Sequence, residues 1–186
     1  MKNCDTRAHE KYDIETAFHT LDSILDSISK CDTKISYLLS AMSLVTIFEF
    51  NLIDFRFFKE HIFNDATFIS VIVGLFFAVG AISTFISIFL ATYSLNPKLK
   101  PLSESNGLET NSILYFGTIS KMSFSKFQGK CKSITVEDQY HDILSQIYIN
   151  SVIANKKYRL LHYNTICFML SFISLLMFII IQSIFF

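Results

Sequence analysis

The chain has 186 residues and a formal net charge of zero, so it suits one structural unit and lacks the strongly basic face of a nucleic-acid binder. Hydrophobic residues make up 51% of it, including 20 Phe, beside only five Gly and two Pro. This composition is typical of long apolar helices and disfavours a turn-rich sheet protein.

Three segments are apolar enough to cross a bilayer, whose hydrocarbon core of about 30 Å requires roughly 20 helical residues. They cover residues 35–53, 67–95 and 163–186. The first contains Glu49, whereas the second has no charged side chain over 29 positions, an unusual length for the core helix of a soluble protein. We therefore predict an all-α membrane protein with about three transmembrane helices. The weak first segment leaves the number of spans open by one.

Positive residues predict the orientation, because Lys and Arg accumulate in short cytoplasmic segments. Five precede the first span, two lie between the first and second, nine lie between the second and third, and none follows. We expect a multi-pass protein of the cell inner membrane with a cytoplasmic N-terminus. The predicted segments are a cytoplasmic N-terminal helix (1–34), transmembrane helix 1 (35–53), an outer hairpin (54–66), transmembrane helix 2 (67–95), a cytoplasmic segment ending in a long helix (96–162) and transmembrane helix 3 (163–186).

Heptad spacing extends both outer spans into long cytoplasmic helices. Residues 13–53 lack Gly and Pro and predict one helix of about 40 residues. Its apolar seam, interrupted at Asp32, consists of Ile14, Phe18, Leu21, Leu25, Ile28, Ile35, Leu39 and Met42. A second seam in residues 137–186, interrupted at Ser151, consists of Tyr140, Leu144, Ile147, Ala154, Tyr158 and Leu161. Together they predict a helical stalk. The seams fit packing within one chain and also contacts between neighbouring chains of a homo-oligomer.

The segment between the second span and the last helix, residues 96–136, contains both prolines and predicts one or two short helices docked on the stalk.

A polar stripe in the first span is a candidate functional face. Its residues recur every three or four positions, which predicts a shared helix face: Ser36, Ser40, Ser43, Thr46 and Glu49. A polar face in lipid needs a partner. It either holds a single-chain bundle together or forms a subunit or pore face. Glu49 fits an ion path, or an interfacial charge that pairs with Arg56 or Lys59.

The sequence offers no catalytic motif. The five histidines form no H-E-x-x-H pattern, and neither a Gly-rich phosphate loop nor a G-x-S-x-G elbow occurs. The cysteines, expected as free thiols, are scattered without metal-ligand spacing: Cys4, Cys31, Cys131 and Cys167. We expect no enzyme, no metal and no cofactor.

Short motifs placed around the spans carry a family resemblance. They are Asp32-Thr33-Lys34 before the first span, Asn96-Pro97-Lys98 after the second, Leu114-Tyr115-Phe116-Gly117-Thr118-Ile119, Gln146-Ile147, and Lys156-Lys157-Tyr158-Arg159-Leu160-Leu161 before the third. In their order and placement, over most of the chain, the sequence resembles the transmembrane effectors of bacterial Pycsar anti-phage systems.

This resemblance implies a partner cyclase that makes cyclic CMP or cyclic UMP, and an effector that impairs the inner membrane and causes abortive infection. The chain is too short for a separate cyclic-nucleotide-binding domain, so direct sensing would use the stalk and central segment. Basic residues near the membrane are candidates for binding the nucleotide, although topology determination explains them equally well: Lys34, Lys98, Lys100, Lys157 and Arg159. The alternatives are a membrane adaptor and a small channel subunit without nucleotide control.

Overall fold

The computed structural model describes residues 12–52, 68–96 and 112–185. These residues are 91% helical and contain no strand, which confirms the all-α prediction. Their helices are α1 (Ile14–Leu52), α2 (Phe68–Leu95), α3 (Phe116–Ile119), α4 (Phe124–Ser133) and α5 (Val136–Phe185). The predicted outer hairpin, residues 54–66, lies outside the described residues.

The two long helices begin at polar caps that their sequences supply. Asp13 accepts the Thr16 N–H at 2.8 Å before α1. Before α5, the Thr135 hydroxyl accepts a hydrogen bond from the Asp138 N–H at 3.1 Å, and the Asp138 carboxylate accepts one from the Thr135 N–H at 3.2 Å. This reciprocal arrangement is a capping box. With no Gly or Pro to interrupt them, α1 continues for 39 residues and α5 for 50, so both predicted long helices are confirmed.

The chain divides into two compact units, and both long helices contribute to each. Unit 1 comprises Met1–Ser27 and Leu99–Ala154, and unit 2 comprises Ile28–Lys98 and Asn155–Phe186. The limits of the predicted membrane segments stay predictions.

Unit 1 has a small apolar core between α1 and α5. Ala17, Leu21 and Ile143 are buried at its centre. Partly buried hydrophobic residues pack against them: Ile14, Phe18, Leu114, Tyr140 and Ile147. The two short helices α3 and α4 were expected as one or two docked on the stalk, and α4 has no buried residue. Its ten residues include three lysines and only two Phe, which leaves little apolar surface to bury.

Unit 2 buries many polar side chains beside its apolar core and exposes many large apolar ones. The buried face of α2 is made largely of small and hydroxyl residues: Ser70, Val73, Gly80, Ser83, Thr84, Ser87, Ala91 and Ser94. Phe68 and Phe85 on the opposite side are 81% and 80% exposed. A soluble protein usually buries Phe in preference to Ser, so this distribution is typical of helices surrounded by lipid.

Two helices in the described part of the chain, α2 and α5, are long and apolar enough to cross a membrane. Helix α1, which contains the predicted first span, is not one of them. The third crossing therefore stays a prediction.

The predicted seams are only partly correct. Leu25 on α1, and Leu144 and Tyr158 on α5, are exposed although the apolar spacing placed them inside. Cys31 and Val45 are buried on α1 instead. The prediction counted apolar residues alone, whereas the inward face of unit 2 also uses polar ones.

Candidate functional site in the membrane unit

Three helices each contribute one side chain to a buried polar contact in unit 2. Glu49 of α1 is 7% exposed, and its Oε1 accepts a hydrogen bond from the Thr84 hydroxyl of α2 at 2.9 Å. The Thr84 Oγ1 lies 2.6 Å from the Ser171 Oγ of α5. A hydroxyl donates one proton and accepts others, so Thr84 can donate to Glu49 while it accepts from Ser171. This contact ties together the three helices that the described residues of the unit form.

Small residues allow the helices to approach at this level. A Cβ placed on Gly80 would lie 3.6 Å from Glu49 Oε1 and 3.6 Å from Ser174 Cβ. The Ser174 hydroxyl donates to the backbone carbonyl of Phe76 at 2.7 Å. A side chain of α5, that of Ser174, thus bonds directly to the backbone of α2, which requires close packing of the two helices.

A second polar contact involves Asn164 of α5, seven residues before Ser171. The Ser87 hydroxyl donates to Asn164 Oδ1. Asn164 is only 1% exposed, and its Nδ2 has no hydrogen-bond partner among the described residues. The buried Ser94 hydroxyl likewise lacks one there. Unit 2 therefore retains unsatisfied polar groups inside a shell of apolar side chains.

A third contact, again seven residues earlier on α5, is an ion pair. Lys157 Nζ lies 2.5 Å from Asp32 Oδ1, with the two side chains 16% and 37% exposed. Beside it, Cys31 is fully buried. Burial raises the pKa of the Cys31 thiol, and the negative charge of Asp32 raises it further.

The heptad spacing of Lys157, Asn164 and Ser171 is the signal that sequence reasoning missed. These polar residues occupy equivalent positions on α5 and meet Asp32, Ser87 and Thr84 respectively. Asp32 had been identified as an interruption of the α1 seam and as part of the motif before the first span, but not as the partner of Lys157. Its partner, Lys157, was recognisable because it occupies the same heptad position of α5 as Asn164 and Ser171.

The five residues of the predicted polar stripe of α1 lie in different environments in the structure. Ser36, Ser40 and Ser43 are exposed, and each bonds a carbonyl of its own helix at 3.0–3.1 Å. Thr46 is half-buried and bonds the Met42 carbonyl at 2.8 Å. Glu49 alone is buried, so the expectation of one shared face is wrong. Thirteen residues at about 100° each place Glu49 about 140° away from Ser36 around the helix. The role of these residues as a subunit or pore face stays a prediction.

The candidate nucleotide-binding residues have different environments. Lys34 and Arg159 are exposed, whereas Lys157 is engaged by Asp32. Lys98 and Lys100 lie outside the described residues, as do Arg56 and Lys59, the predicted partners of Glu49. The nucleotide-binding role of the five candidates stays a prediction.

The exposed apolar side chains and the buried polar contacts of unit 2 indicate the class of protein. It is an all-α membrane protein whose helices associate through hydrogen bonds and an ion pair. Comparisons with known proteins narrow the class. The profile of the Pycsar effector protein domain, PycTM, matches residues 16–184. The chain is 32% identical over 161 residues to the Pycsar effector protein GmPycTM of Gulbenkiania mobilis, covering 78% of this chain and 81% of that relative. No solved structure matches the chain.

The chain therefore belongs to the Pycsar effector family. It is a membrane effector of anti-phage defence, and its family membership implies a partner cyclase that produces a cyclic nucleotide. The resemblance found in the sequence is confirmed.

Proposed function

We propose that a cyclic pyrimidine nucleotide, cyclic CMP or cyclic UMP, activates this protein to impair the inner membrane and cause abortive infection. The protein acts without catalysis, as a multi-pass protein with its N-terminus in the cytoplasm. The observation that supports this proposal best is the buried polar core of unit 2. There Glu49, Thr84 and Ser171 meet between helices whose outward-facing side chains are largely apolar.

The polar core gives the bundle two possible arrangements. In the structure, Glu49, Thr84 and Ser171 bond one another and many apolar side chains face outward, so lipid can seal around the helices. If the helices rotate or separate, the same polar groups become available to water or to the polar groups of another copy. A bundle held by a few polar contacts can therefore change from a sealed form to a leaking one without unfolding.

The helical connection supports a ligand-driven change. Helix α5 contributes residues to both units and contains no Gly or Pro. A nucleotide that binds the leaking form more tightly than the sealed form shifts the population towards leakage. A shift from 1% to 99% leaking requires an affinity difference of about 10⁴-fold between the two forms.

The basic residues that precede the membrane segments of α1 and α5 are candidates for the nucleotide contact. A cyclic nucleotide carries a negative phosphodiester, which favours Lys and Arg side chains. Arg159 and Lys34 are exposed and available to a ligand. Lys157 is held by Asp32, so its participation requires exchange of the Asp32 carboxylate for the phosphate.

The test is leakage from vesicles that contain the purified full-length protein. We expect cyclic CMP or cyclic UMP to release an entrapped dye, and cyclic AMP and cyclic GMP to release none. Leakage that is independent of every nucleotide would favour a plain channel, and no leakage with any nucleotide would favour a membrane adaptor. Either result contradicts the proposal.

Two variants and a matched control test the basic residues. Lys157→Ala and Arg159→Ala are expected to raise the nucleotide concentration needed for leakage. Lys156→Ala removes a neighbouring exposed lysine that has no proposed role, and is expected to leave that concentration unchanged. An unchanged response in both variants would remove these two residues from the site.

A further inference from the structure

Glu49 contacts a residue from the middle of a helix that is long and apolar enough to cross a membrane. Its partner Thr84 lies 16 residues after the first residue of α2, Phe68, and 11 residues before the last, Leu95. At about 1.5 Å per residue, Thr84 is about 24 Å from one end of α2 and about 16 Å from the other. The carboxyl group of Glu49 is therefore held at the depth of the hydrocarbon core, where an ionisable side chain is costly and is a candidate functional group.

Polar side chains continue from Glu49 towards the C-terminal end of α2. Ser87 and Ser94 follow Thr84 on the buried face of that helix. Ser87 donates a hydrogen bond to Asn164 of α5. The Asn164 Nδ2 and the Ser94 hydroxyl are buried without a hydrogen-bond partner among the described residues. Water can satisfy both groups and lipid tails cannot, so this part of the interior is suited to hydration when the helices separate.

Apolar side chains fill the interior on the other side of Glu49. Val73 of α2 and Phe178 of α5 are fully buried and form one cluster. Phe77 packs against Phe178 with ring centroids 5.2 Å apart. We call these three residues the apolar plug. Ser70, one turn before Val73, is also buried, so the plug lies between polar residues of α2. Bulky apolar side chains at such a constriction exclude water and ions.

Glu49 determines which ions the interior favours. Hydroxyl and amide groups present both donors and acceptors, so they accommodate cations and anions alike. Among the buried polar side chains of the described part of unit 2, Glu49 is the one that can carry a charge. A carboxyl group in water is ionised at neutral pH, so Glu49 attracts cations and repels anions once water reaches it.

We infer that the packed interior of unit 2 is the closed form of a cation path, in which Glu49 selects cations and the apolar plug blocks passage. In the leaking form, the Glu49 carboxylate exchanges the Thr84 hydroxyl for water and a passing cation, and the apolar plug opens. The inference rests on the proposed function, because it names the ions that the leaking form conducts and the residues that seal it.

The test measures ion currents through planar bilayers that contain the purified full-length protein, with a gradient of KCl across the bilayer. Cyclic CMP and cyclic UMP are each added to open the path. The reversal potential gives the ratio of K⁺ to Cl⁻ permeability. Wild type is expected to favour K⁺ by about ten-fold or more, because a fixed negative charge attracts one ion and repels the other. In vesicles, a cationic dye is expected to leave faster than an anionic dye of the same size.

Glu49→Gln keeps the shape of the side chain and an oxygen for the Thr84 hydroxyl, but removes the charge. Its permeability ratio is expected to fall to about one. Glu49→Asp keeps the charge and is expected to remain selective for K⁺. Glu15→Gln is the matched control, because it makes the same chemical change at an exposed carboxylate of α1. It is expected to retain the wild-type ratio.

Phe178→Ala tests the apolar plug. The smaller side chain leaves a gap that water can enter, so this variant is expected to conduct K⁺ without any nucleotide. Phe172→Ala is the matched control, because Phe172 lies on the same helix and is 43% exposed. It is expected to stay closed until a nucleotide is added.

The outcomes separate the two proposals. A wild-type current without preference for K⁺ over Cl⁻ would overturn the inference, and this result requires no variant. An unchanged ratio in Glu49→Gln, or a folded Phe178→Ala that stays closed without nucleotide, would also overturn it. A wild-type current that needs no nucleotide would overturn the proposed function and leave the permeability ratio measurable, whereas no current with either nucleotide would overturn both.

Discussion

Replacement of Thr84 by Val tests whether the polar core holds the membrane helices together. Val has nearly the same shape as Thr but lacks the hydroxyl that contacts Glu49 at 2.9 Å and Ser171 at 2.6 Å. Interhelical hydrogen bonds in membranes contribute about 0.6 kcal/mol on average and up to about 1.7 kcal/mol. Loss of two contacts is therefore expected to lower the free energy of unfolding of unit 2 by about 1–3 kcal/mol.

The buried thiol of Cys31 provides the assay. The chain has no Trp, so fluorescence of that residue is not available to follow unfolding. With Cys4, Cys131 and Cys167 replaced by Ser, the buried Cys31 is expected to react with maleimide slowly until unit 2 opens. Labelling is followed across a titration with sodium dodecyl sulfate in mixed micelles. Thr84→Val is expected to shift the transition to a lower fraction of this detergent.

Thr92→Val is the matched control on the same helix. The Thr92 hydroxyl is exposed and donates to the Ile88 carbonyl at 2.9 Å, a bond within α2. Its removal is expected to change the unfolding free energy by no more than about 0.5 kcal/mol. Equal transitions for the Thr84 and Thr92 variants would refute the idea that the Thr84 contacts stabilise the bundle.

Three further predictions concern packing, thiol reactivity and pH. Gly80→Ala is expected to be tolerated in the same detergent titration, because the added Cβ meets neighbours at 3.6 Å or more, whereas Gly80→Leu is expected to separate α2 from α5. In native micelles, with Cys4 replaced by Ser, maleimide is expected to label the exposed Cys131 rapidly and the buried Cys31 slowly, as read by mass spectrometry; equal rates would contradict the burial of Cys31. Hydrogen bonds from the Thr135 hydroxyl and N–H lower the pKa of Asp138, so its stabilisation of α5 is present above the unfolded pKa of about 3.9 and is lost as pH falls through the lower, folded pKa. Asp138→Asn should remove that part of the pH dependence of helix content measured by circular dichroism, and an unchanged acid profile would exclude it.

The sequence predicted the long helices correctly because their determinants are local. Neither α1 nor α5 contains Gly or Pro, and Asp13 and Glu137 mark where the helices begin. The spans in α2 and α5 were also recognisable, since length and hydropathy decide them without knowledge of packing.

The candidate site was predictable only in part because its partners come from separate helices. Glu49 was identified as a membrane carboxylate, but its contact with Thr84 depends on how α1 faces α2. The serines of α1 appeared to need partners, yet each satisfies its hydroxyl on its own backbone, which lets it face outward. Spacing along one helix does not distinguish these two outcomes.

The seven-residue repeat on α5 constrains the length of that helix. Each of Lys157, Asn164 and Ser171 contacts its partner. They can do so because seven residues separate each from the next, which places all three on the same side of α5. Insertion of one residue between Lys157 and Asn164 would turn the following part of α5 by about 100° relative to the preceding part. Asn164 and Ser171 would then be directed away from Ser87 and Thr84 if the ion pair stayed in place. Natural variants of this protein should therefore differ in the side chains of this stretch more readily than in its number of residues.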